Sequence, residues 1–362
     1  MSSHLQALSE AGVSIWLDDL SRDRLQSGSL AELIASSYVV GVTTNPSIFS
    51  AAIKGSALYK GDILSLKEKG ESVPSIITHL TTADVSSACD LFLPTYEKSH
   101  HVDGRVSIEV DPFLAHETTP TVAQGKALWA LIGKPNLLVK VPATLEGLPA
   151  IRELTAAGIS INVTLIFSVE RYEKVMDAYL GGLEDRLAAG LSINEIHSVA
   201  SFFVSRIDTE IDKRLDAIAP NSLLRGKTAI ANAVLAYEAY LKVIGSPRWV
   251  QLMSKGANEQ RPLWASTGVK DKSYDSTRYV IELVATNCVN TMPEATLNEV
   301  RAHGLVRGDT ITPAISEAHS HFASLPAAGI DFADVVAFLE KDGVKKFADA
   351  WQELLDNVSA VS

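Results

Sequence analysis

The chain has 362 residues and a formal net charge of −11, from 43 acidic and 32 basic residues. This balance argues against a dedicated nucleic-acid-binding protein, which needs a basic surface to neutralise phosphates. A small anionic substrate remains compatible with it, because a few basic side chains in a cleft are enough to bind one.

Nothing in the sequence indicates secretion or insertion into a membrane. The two cysteines, Cys89 and Cys288, form neither a disulfide framework nor a Cys-x-x-Cys metal motif. Residues 1–12 lack the basic-then-apolar order of a signal peptide, and no apolar run approaches the ~20 residues of a membrane helix. We therefore expect a protein of the reducing cytoplasm without membrane or nucleic-acid partners.

Short apolar runs alternate with amphipathic stretches along most of the chain, and eight of these runs are typical of strands. The predicted strands are Ser14–Asp18, Val39–Asn45, Arg105–Asp111, Leu137–Ala143, Ser160–Phe167, Ser198–Phe203, Arg261–Thr267 and Cys288–Met292. Eight strand–helix units indicate a parallel sheet closed into a barrel. We predict an α/β protein with a (β/α)8 TIM barrel, as one domain over residues 1–362.

Helix-start and helix-stop residues mark the segments between the strands. Ser29 and Glu32 have the spacing of a capping box, and Thr119-Pro120 that of an N-cap and first helical residue. The other predicted helices are Gly147–Ala157, Ser168–Leu187 and Lys227–Ile244.

Two regions exceed a minimal barrel. Lys54–His101 is too long for one crossover and should contain two or three helices. From about residue 297 to residue 362 the pattern predicts a helical C-terminal extension. We expect Asp342-Gly343 to break this extension before a last helix over Lys345–Asn357.

Lys140 interrupts an otherwise apolar predicted strand. A strand covered on both faces should be continuously apolar. Alternate residues of a barrel strand point inward, so Leu138, Lys140 and Pro142 share a face. Burial disfavours the charged form of an amine, and a neutral amine can attack a ketone to form an imine. The strand alone is equally compatible with a lysine that extends to solvent or blocks pairing at a sheet edge.

Four other predicted strands also bring polar residues to one face near their carboxyl ends. These residues are Asp18, Thr43, Asn45, Ser107, Glu109, Asp111, Asn162 and Thr164. Taken singly, each has a structural explanation, such as a helix cap for Asp18 or Asn45 or a solvated strand end for Glu109. Barrel enzymes build their active sites at the carboxyl ends of the strands, so the convergence of five strands predicts an active site.

A phosphate site is predicted after the sixth strand, where Ser201–Arg206 precedes a helix expected to begin near Asp208. N–H groups at a helix start, a serine hydroxyl and a guanidinium suit a phosphate. An ordinary helix cap beside an exposed arginine would give the same pattern.

No metal or cofactor is expected. The histidines that cluster in the sequence show no metal-ligand spacing; they are His100, His101, His116, His319 and His321.

Two segments resemble the signatures of the transaldolase family. Gly41–Phe49 resembles the first signature, and Leu137–Gly147, with Lys140 at its centre, resembles the second. Further similar segments are Glu109–Asp111, Asn162–Leu165, Ser201–Arg206, Trp264–Gly268 and Val289–Pro293. The resemblance covers roughly residues 14–297 and is closest to the longer bacterial branch, of the actinobacterial and cyanobacterial kind. It implies a metal-independent barrel enzyme of the class I aldolase type.

The resemblance also implies roles for the matched residues. Lys140 forms an imine with the ketose donor, and Asp18 exchanges the proton of the C4 hydroxyl as the C3–C4 bond breaks or forms. Glu109 and Thr164 hold a water that carries protons during imine formation and hydrolysis. The residues expected to contact the sugar or its phosphate are Thr43, Asn45, Asn162, Ser201, Arg206 and Ser266.

One phosphate-binding position stays open. The better-known branch of the family has a further arginine shortly after the seventh strand, where this chain has Val269 and Lys270. Either Lys270 or Arg261, which lies before that strand, could take the role.

The implied reaction transfers a dihydroxyacetone unit from sedoheptulose 7-phosphate to glyceraldehyde 3-phosphate, giving erythrose 4-phosphate and fructose 6-phosphate. It belongs to the non-oxidative pentose phosphate pathway. One alternative is a lyase resembling fructose-6-phosphate aldolase, although the related small aldolases tend to carry glutamine and tyrosine where this chain has Glu109 and Phe203. A second alternative, a non-catalytic sugar-phosphate-binding barrel, would need neither Lys140 nor Asp18. The sequence is compatible with a monomer or a homodimer.

Overall fold

Eight parallel strands close into a barrel in the computed structural model, which describes residues 3–219 and 222–362. The strands follow one another around the barrel in chain order, and the last pairs with the first. They are β1 (Val13–Leu17), β2 (Val39–Val42), β3 (Arg105–Glu109), β4 (Leu137–Pro142), β5 (Ile161–Ile166), β6 (Ser198–Phe203), β7 (Gln260–Ala265) and β8 (Cys288–Met292). The predicted TIM barrel and its eight strands are confirmed.

Helices surround the barrel and connect its strands. They are α1 (His4–Glu10), α2 (Arg22–Ser27), α3 (Ser29–Ser36), α4 (Pro46–Gly55), α5 (Lys60–Glu68), α6 (Val73–Lys98), α7 (Thr118–Ile132), α8 (Gly147–Ala156), α9 (Val169–Ala188), α10 (Ser205–Ile218), α11 (Thr228–Ile244), α12 (Pro247–Met253), α13 (Arg278–Ile281), α14 (Glu294–His303), α15 (Ile315–Ser324) and α16 (Phe332–Ala360). Short 3-10 turns occupy Ala57–Tyr59, Pro112–Leu114, Thr312–Ala314 and Pro326–Ala328. Among the described residues no helix is both long and apolar enough to cross a membrane.

The long segment after α4 contains α5 and α6, as predicted from its length. Two residues predicted to begin or end helices do so: Ser168 caps α9 by accepting from the N–H of Arg171, and Gly158 follows α8 with φ +90°. The capping box predicted at Ser29 is wrong. Ser29 is already helical, and Gly28, with φ +79°, both ends α2 and precedes α3. Two other helices begin earlier than predicted, α7 at Thr118 and α10 at Ser205.

The C-terminal helix α16 runs without interruption through Asp342-Gly343, so the predicted break there is wrong. Gly343 is instead a point of close approach. A Cβ atom at this position would lie 3.1 Å from Cδ2 of Leu165 and 3.4 Å from the ring of Phe167. The small residue lets α16 pack against the end of β5, and this packing outweighs the weak helix propensity of glycine.

Contacts at both ends hold α16 across the carboxyl-terminal mouth of the barrel. Near its start, Asp334 pairs with Arg214 of α10 at 2.6 Å. Near its end, Asn357 Nδ2 donates to Ser50 Oγ of α4 at 3.3 Å. Because α4 follows β2 and α10 follows β6, the helix spans nearly opposite sides of the barrel.

Candidate active site

Lys140 lies inside the barrel near the carboxyl end of β4 and is 4% exposed. Its Nζ donates to the backbone carbonyl of Thr44 at 3.0 Å and lies 3.4 Å from Oε2 of Glu109. The strand register places Glu109 of β3 and Asn162 of β5 on either side of it. The interior lysine predicted from the pattern is therefore buried, and a carboxyl group faces it.

Glu109 is the carboxyl group closest to the lysine, and its side chain is 6% exposed. Burial raises the pKa of Glu109 to about 7, although the charge of Lys140 opposes the shift. Neither Oε2 of Glu109 nor Oγ1 of Thr164 makes a hydrogen bond to the described part of the chain. Both atoms can therefore hydrogen-bond a water or a substrate beside Lys140, with Oε2 of Glu109 also in the ion pair with its amine.

Asp18 follows β1 directly, and its backbone N–H donates to the carbonyl of Met292 at the end of β8. Thr43 Oγ1 donates to Asp18 Oδ1 at 2.7 Å, and Thr291 Oγ1 lies 2.6 Å from Thr43 Oγ1. Burial raises the pKa of Asp18, while Lys140 acts in the opposite direction. The site thus contains two carboxyl groups that retain protons more readily than exposed ones.

Asn162 is fully buried and uses both ends of its amide group. Its Nδ2 donates to Ser107 Oγ at 3.0 Å, and its Oδ1 accepts from Ser201 Oγ at 2.7 Å. These two hydrogen bonds fix the position of Ser201, which lines the cavity. For Asn45 the sequence left two roles open, a helix cap and a site residue, and the structure shows both positions. Asn45 caps α4 by accepting from the N–H of Ile48 at 3.0 Å, and it lines the cavity.

Basic and hydroxyl side chains gather after β6 and β7. Arg206, in the first turn of α10, places its guanidinium 5.0 Å from the ring centre of Phe203, and its buried Nη1 has no hydrogen-bond partner in the described residues. Ser266 has φ +55°, a strained conformation for a residue other than glycine, and its Oγ lies 3.0 Å from Oγ of Ser205. Lys270 is exposed at the rim.

A cavity of about 140 Å³ connects these groups. Its lining includes the side chains predicted from the sequence on the carboxyl ends of five strands or just beyond them, namely Asp18, Thr43, Asn45, Lys140, Ser201, Arg206, Ser266 and Lys270. Glu109, Asn162 and Thr164 lie behind this lining. Glu109 and Asn162 pair with Lys140 in the strand register, and Thr164 pairs with Pro142, two residues further along β4.

Arg261 is not part of this site, which corrects its assignment as a substrate-binding residue. It lies at the start of β7, at the amino-terminal end of the barrel. There its guanidinium donates to Asp103 at 3.0 Å and to Ser14 Oγ at 2.6 Å. Since all the strands run parallel, their first residues lie at the end opposite the cavity.

Six lining residues were not assigned to the site by sequence reasoning, namely Phe203, Ala265, Gly268, Thr291, Pro293 and Phe347. Thr291 lies on β8 in a segment already matched to the family, and that match was the available signal. Phe347 of α16 is 5% exposed, and its ring centre lies 5.7 Å from Nζ of Lys140. No local signal marks Phe347, because an apolar residue on a helix face usually belongs to the core.

In residues 3–219 and 222–362 no group of three or more His, Cys, Asp or Glu side chains has a metal-binding arrangement. A closed parallel barrel with a buried lysine and two carboxyl groups at its carboxyl end defines the class of protein, a (β/α)8-barrel enzyme.

Comparison with known proteins narrows this class. The model of the Transaldolase/Fructose-6-phosphate aldolase family matches residues 15–358, and the chain belongs to that family. It is 57% identical over 357 residues to a transaldolase of Saccharopolyspora erythraea, covering 99% of this chain and 97% of that protein. It is 55% identical over 361 residues to the transaldolase of Thermobifida fusca (99% and 98% covered) and 57% over 355 residues to that of Mycolicibacterium smegmatis (98% and 96%). The resemblance to the actinobacterial branch is confirmed.

Proposed function

We propose that the chain is a transaldolase that moves a dihydroxyacetone unit between sugar phosphates through an imine on Lys140. The observation that carries the proposal is the buried Lys140, 3.4 Å from Glu109 and sharing its cavity with Asp18. We further propose the donor and acceptor pair expected from the sequence, sedoheptulose 7-phosphate and glyceraldehyde 3-phosphate, and action in the cytoplasm as a single domain.

Imine formation needs a neutral amine and proton carriers beside it. The ketone carbon of the donor is attacked by Nζ of Lys140, and the carbinolamine hydroxyl must then leave as water. Glu109, with a pKa of about 7, can exchange a proton near neutral pH. The unpartnered oxygens of Glu109 and Thr164 are suited to hydrogen-bond the water that leaves and later returns.

Bond cleavage requires removal of the proton from the C4 hydroxyl of the bound sugar. Asp18 is oriented by its bond from Thr43 and lines the same cavity as Lys140. As the C3–C4 bond breaks, C4 becomes the aldehyde of the first product. The electron pair passes to C3 and is delocalised onto the iminium nitrogen, which leaves a bound three-carbon enamine. The reverse steps with a second aldehyde complete the transfer.

The phosphate group is assigned to the side of the cavity formed by Arg206, Ser266 and Lys270. The guanidinium of Arg206 has an unpartnered nitrogen and lies in the first turn of α10, so side-chain and helix-end donors act together. With Arg261 at the opposite end of the barrel, Lys270 is the remaining basic residue for the open phosphate-binding position.

The competing functions make different products. A lyase would release free dihydroxyacetone, and a binding protein would form no covalent adduct. We therefore propose incubation with fructose 6-phosphate, with and without erythrose 4-phosphate, followed by measurement of sedoheptulose 7-phosphate, free dihydroxyacetone and the borohydride-trapped adduct. Transfer that depends on the acceptor supports the proposal. Release at the same rate with or without acceptor would indicate the lyase, and the absence of an adduct would indicate a binder.

A further inference from the structure

The mouth of the barrel is covered by a helix that does not belong to the eightfold repeat. Helix α16 begins at Phe332, well after the end of β8 at Met292. It nevertheless places Phe347 in the same cavity as Lys140, Asp18 and Arg206. The ring of Phe347 is 5% exposed, and its centre lies 5.7 Å from Nζ of Lys140.

The position of α16 is set by contacts on several sides. Gly343, one turn before Phe347, brings the helix close to Leu165 and Phe167. Glu340 pairs with Arg171 of α9 at 3.1 Å, and Glu353 pairs with Lys54 of α4 at 3.1 Å. Because residues four apart lie on the same face of a helix, the close packing at Gly343 directs Phe347 toward the barrel interior.

We infer that Phe347 is a specificity-determining residue, which screens the three-carbon enamine on Lys140 from water and so favours transfer over release. This inference rests on the proposed function. It concerns which of two fates the enamine meets, rather than whether the enamine forms.

The two fates differ in what reacts with C3. In transfer, C3 attacks the carbonyl carbon of the acceptor aldehyde, a new C–C bond forms, and the aldehyde oxygen takes the proton held by Asp18. In release, a water gives its proton to C3, and the hydroxide that remains adds to the iminium carbon, so that dihydroxyacetone departs and Lys140 becomes a free amine again. Hydrolysis of the iminium also ends the transfer, so the two fates differ only in whether C3 reacts with the aldehyde or with a proton. An apolar ring over the amine reduces access of water on the side that it covers.

The ring also suits the iminium forms that precede and follow the enamine. The iminium nitrogen carries positive charge, and the face of an aromatic ring attracts a cation within about 6 Å. A leucine in this position would still exclude water but would not supply this attraction. The two contributions can therefore be separated by substitution.

The test is the ratio of dihydroxyacetone released to sedoheptulose 7-phosphate formed, measured with fructose 6-phosphate and erythrose 4-phosphate. Phe347→Ala should raise this ratio by about tenfold or more, on the scale by which loss of an apolar contact changes discrimination. Phe347→Leu should raise it less. The control is Phe338→Ala, on the same helix, because Phe338 is 44% exposed and outside the cavity lining.

The ratio compares two products of the same active molecules, so partial unfolding of a variant does not change it. An unchanged ratio in Phe347→Ala, or an equal rise in Phe338→Ala, would overturn the inference. If the unsubstituted enzyme forms no adduct with Lys140, the proposed function fails instead. If it forms an adduct and transfers normally but the variants keep its ratio, only the role of Phe347 is wrong.

Discussion

Each end of the barrel contains an ion pair, buried at the carboxyl-terminal end and partly buried at the amino-terminal end, and the two pairs are bonded very differently. At the amino-terminal end, the guanidinium of Arg261 donates to Asp103, Ser14 and two backbone carbonyls, so each of its nitrogens has a partner. At the carboxyl-terminal end, Lys140 and Glu109 lie 3.4 Å apart, and Oε2 of Glu109 has no hydrogen bond. A pair with complete bonding is costly to break, whereas one with spare hydrogen-bonding capacity can bind a substrate.

The largest effect on activity should come from the lysine. Lys140→Met should lower the transfer rate to about 10⁻⁴ of its original value or less, the usual order for loss of a nucleophile. The borohydride adduct should disappear, while the circular dichroism spectrum stays that of the folded barrel because methionine has a similar length. An adduct of normal yield, or one that maps to a different lysine, would contradict the assignment.

The carboxyl groups should affect separate steps. Asp18→Ala should still form the trapped adduct with fructose 6-phosphate, but its transfer rate should fall by roughly 10²–10⁴. Glu109→Ala should slow formation of the adduct itself, measured by rapid quench. The control is Asp19→Ala, because Asp19 pairs with Arg24 at 2.6 Å and lies outside the cavity lining. A larger loss in Asp19→Ala than in Asp18→Ala would require reassignment of the base.

The pH dependence should report Glu109. As a proton acceptor with a pKa of about 7, it should make adduct formation faster as pH rises through that value. Glu109→Gln should remove this limb of the profile.

The same group affects stability with the opposite sign. Between pH 4.5, its ordinary pKa, and about pH 7, Glu109 is protonated in the folded state but not in the unfolded state. Its contribution to the free energy of unfolding therefore falls as pH rises across this interval. Chemical denaturation of the original and Glu109→Gln proteins at both ends of the interval would measure it. An identical pH dependence in the two proteins would show that another group titrates there.

A smaller effect is expected at the phosphate subsite. Arg206→Ala should lower kcat/KM for fructose 6-phosphate by about 10- to 100-fold, the scale of a lost charge-assisted hydrogen bond. Lys270→Ala should lower it by only a few-fold, because an exposed charge contributes about 1 kcal/mol or less. Dihydroxyacetone transfer from unphosphorylated fructose is the control and should be nearly unaffected. Equal losses with both sugars would place these residues elsewhere in the mechanism.

The smallest effect on activity, and a large one on stability, is expected at the other end of the barrel. Arg261→Met should leave the partly buried Asp103 without its ionic partner, with only the bonds from Ser14 and Trp16, and destabilise the fold by about 1–3 kcal/mol. Measured on the folded fraction at low temperature, kcat/KM should stay within about twofold of the original value. A specific rise in KM without loss of stability would restore Arg261 as a substrate-binding residue.

The barrel and the inward-facing polar residues of its first five strands could be predicted because they depend on local alternation, whereas Ser266 and Lys270 were expected from the resemblance to the family. Period-2 patterns placed Lys140, Glu109 and Asn162 on inward faces, and parallel strands bring their carboxyl ends together. The direction of the strand also separates Arg261 from Lys270, because the predicted seventh strand begins at Arg261, one residue after the observed start of β7 at Gln260. The first residue of a parallel barrel strand lies at the end opposite the cavity.

The cover over the cavity could not be predicted in this way. Asp342-Gly343 carries a local signal for a helix break, and only the nearness of Leu165 and Phe167 explains why α16 continues through it. Phe347 likewise has the sequence appearance of an ordinary core residue. The continuation of the helix and the position of Phe347 both depend on which surface α16 packs against. That surface is formed by residues distant in sequence, so no local pattern indicates it.

The order of synthesis gives α16 a further consequence. All eight strands have left the ribosome once Met292 has emerged, while the covering helix begins only at Phe332. Because a domain folds as a unit, the eight strands and α16 belong to one cooperative structure, and the cavity around Lys140 is complete only when the last segment of the chain has emerged.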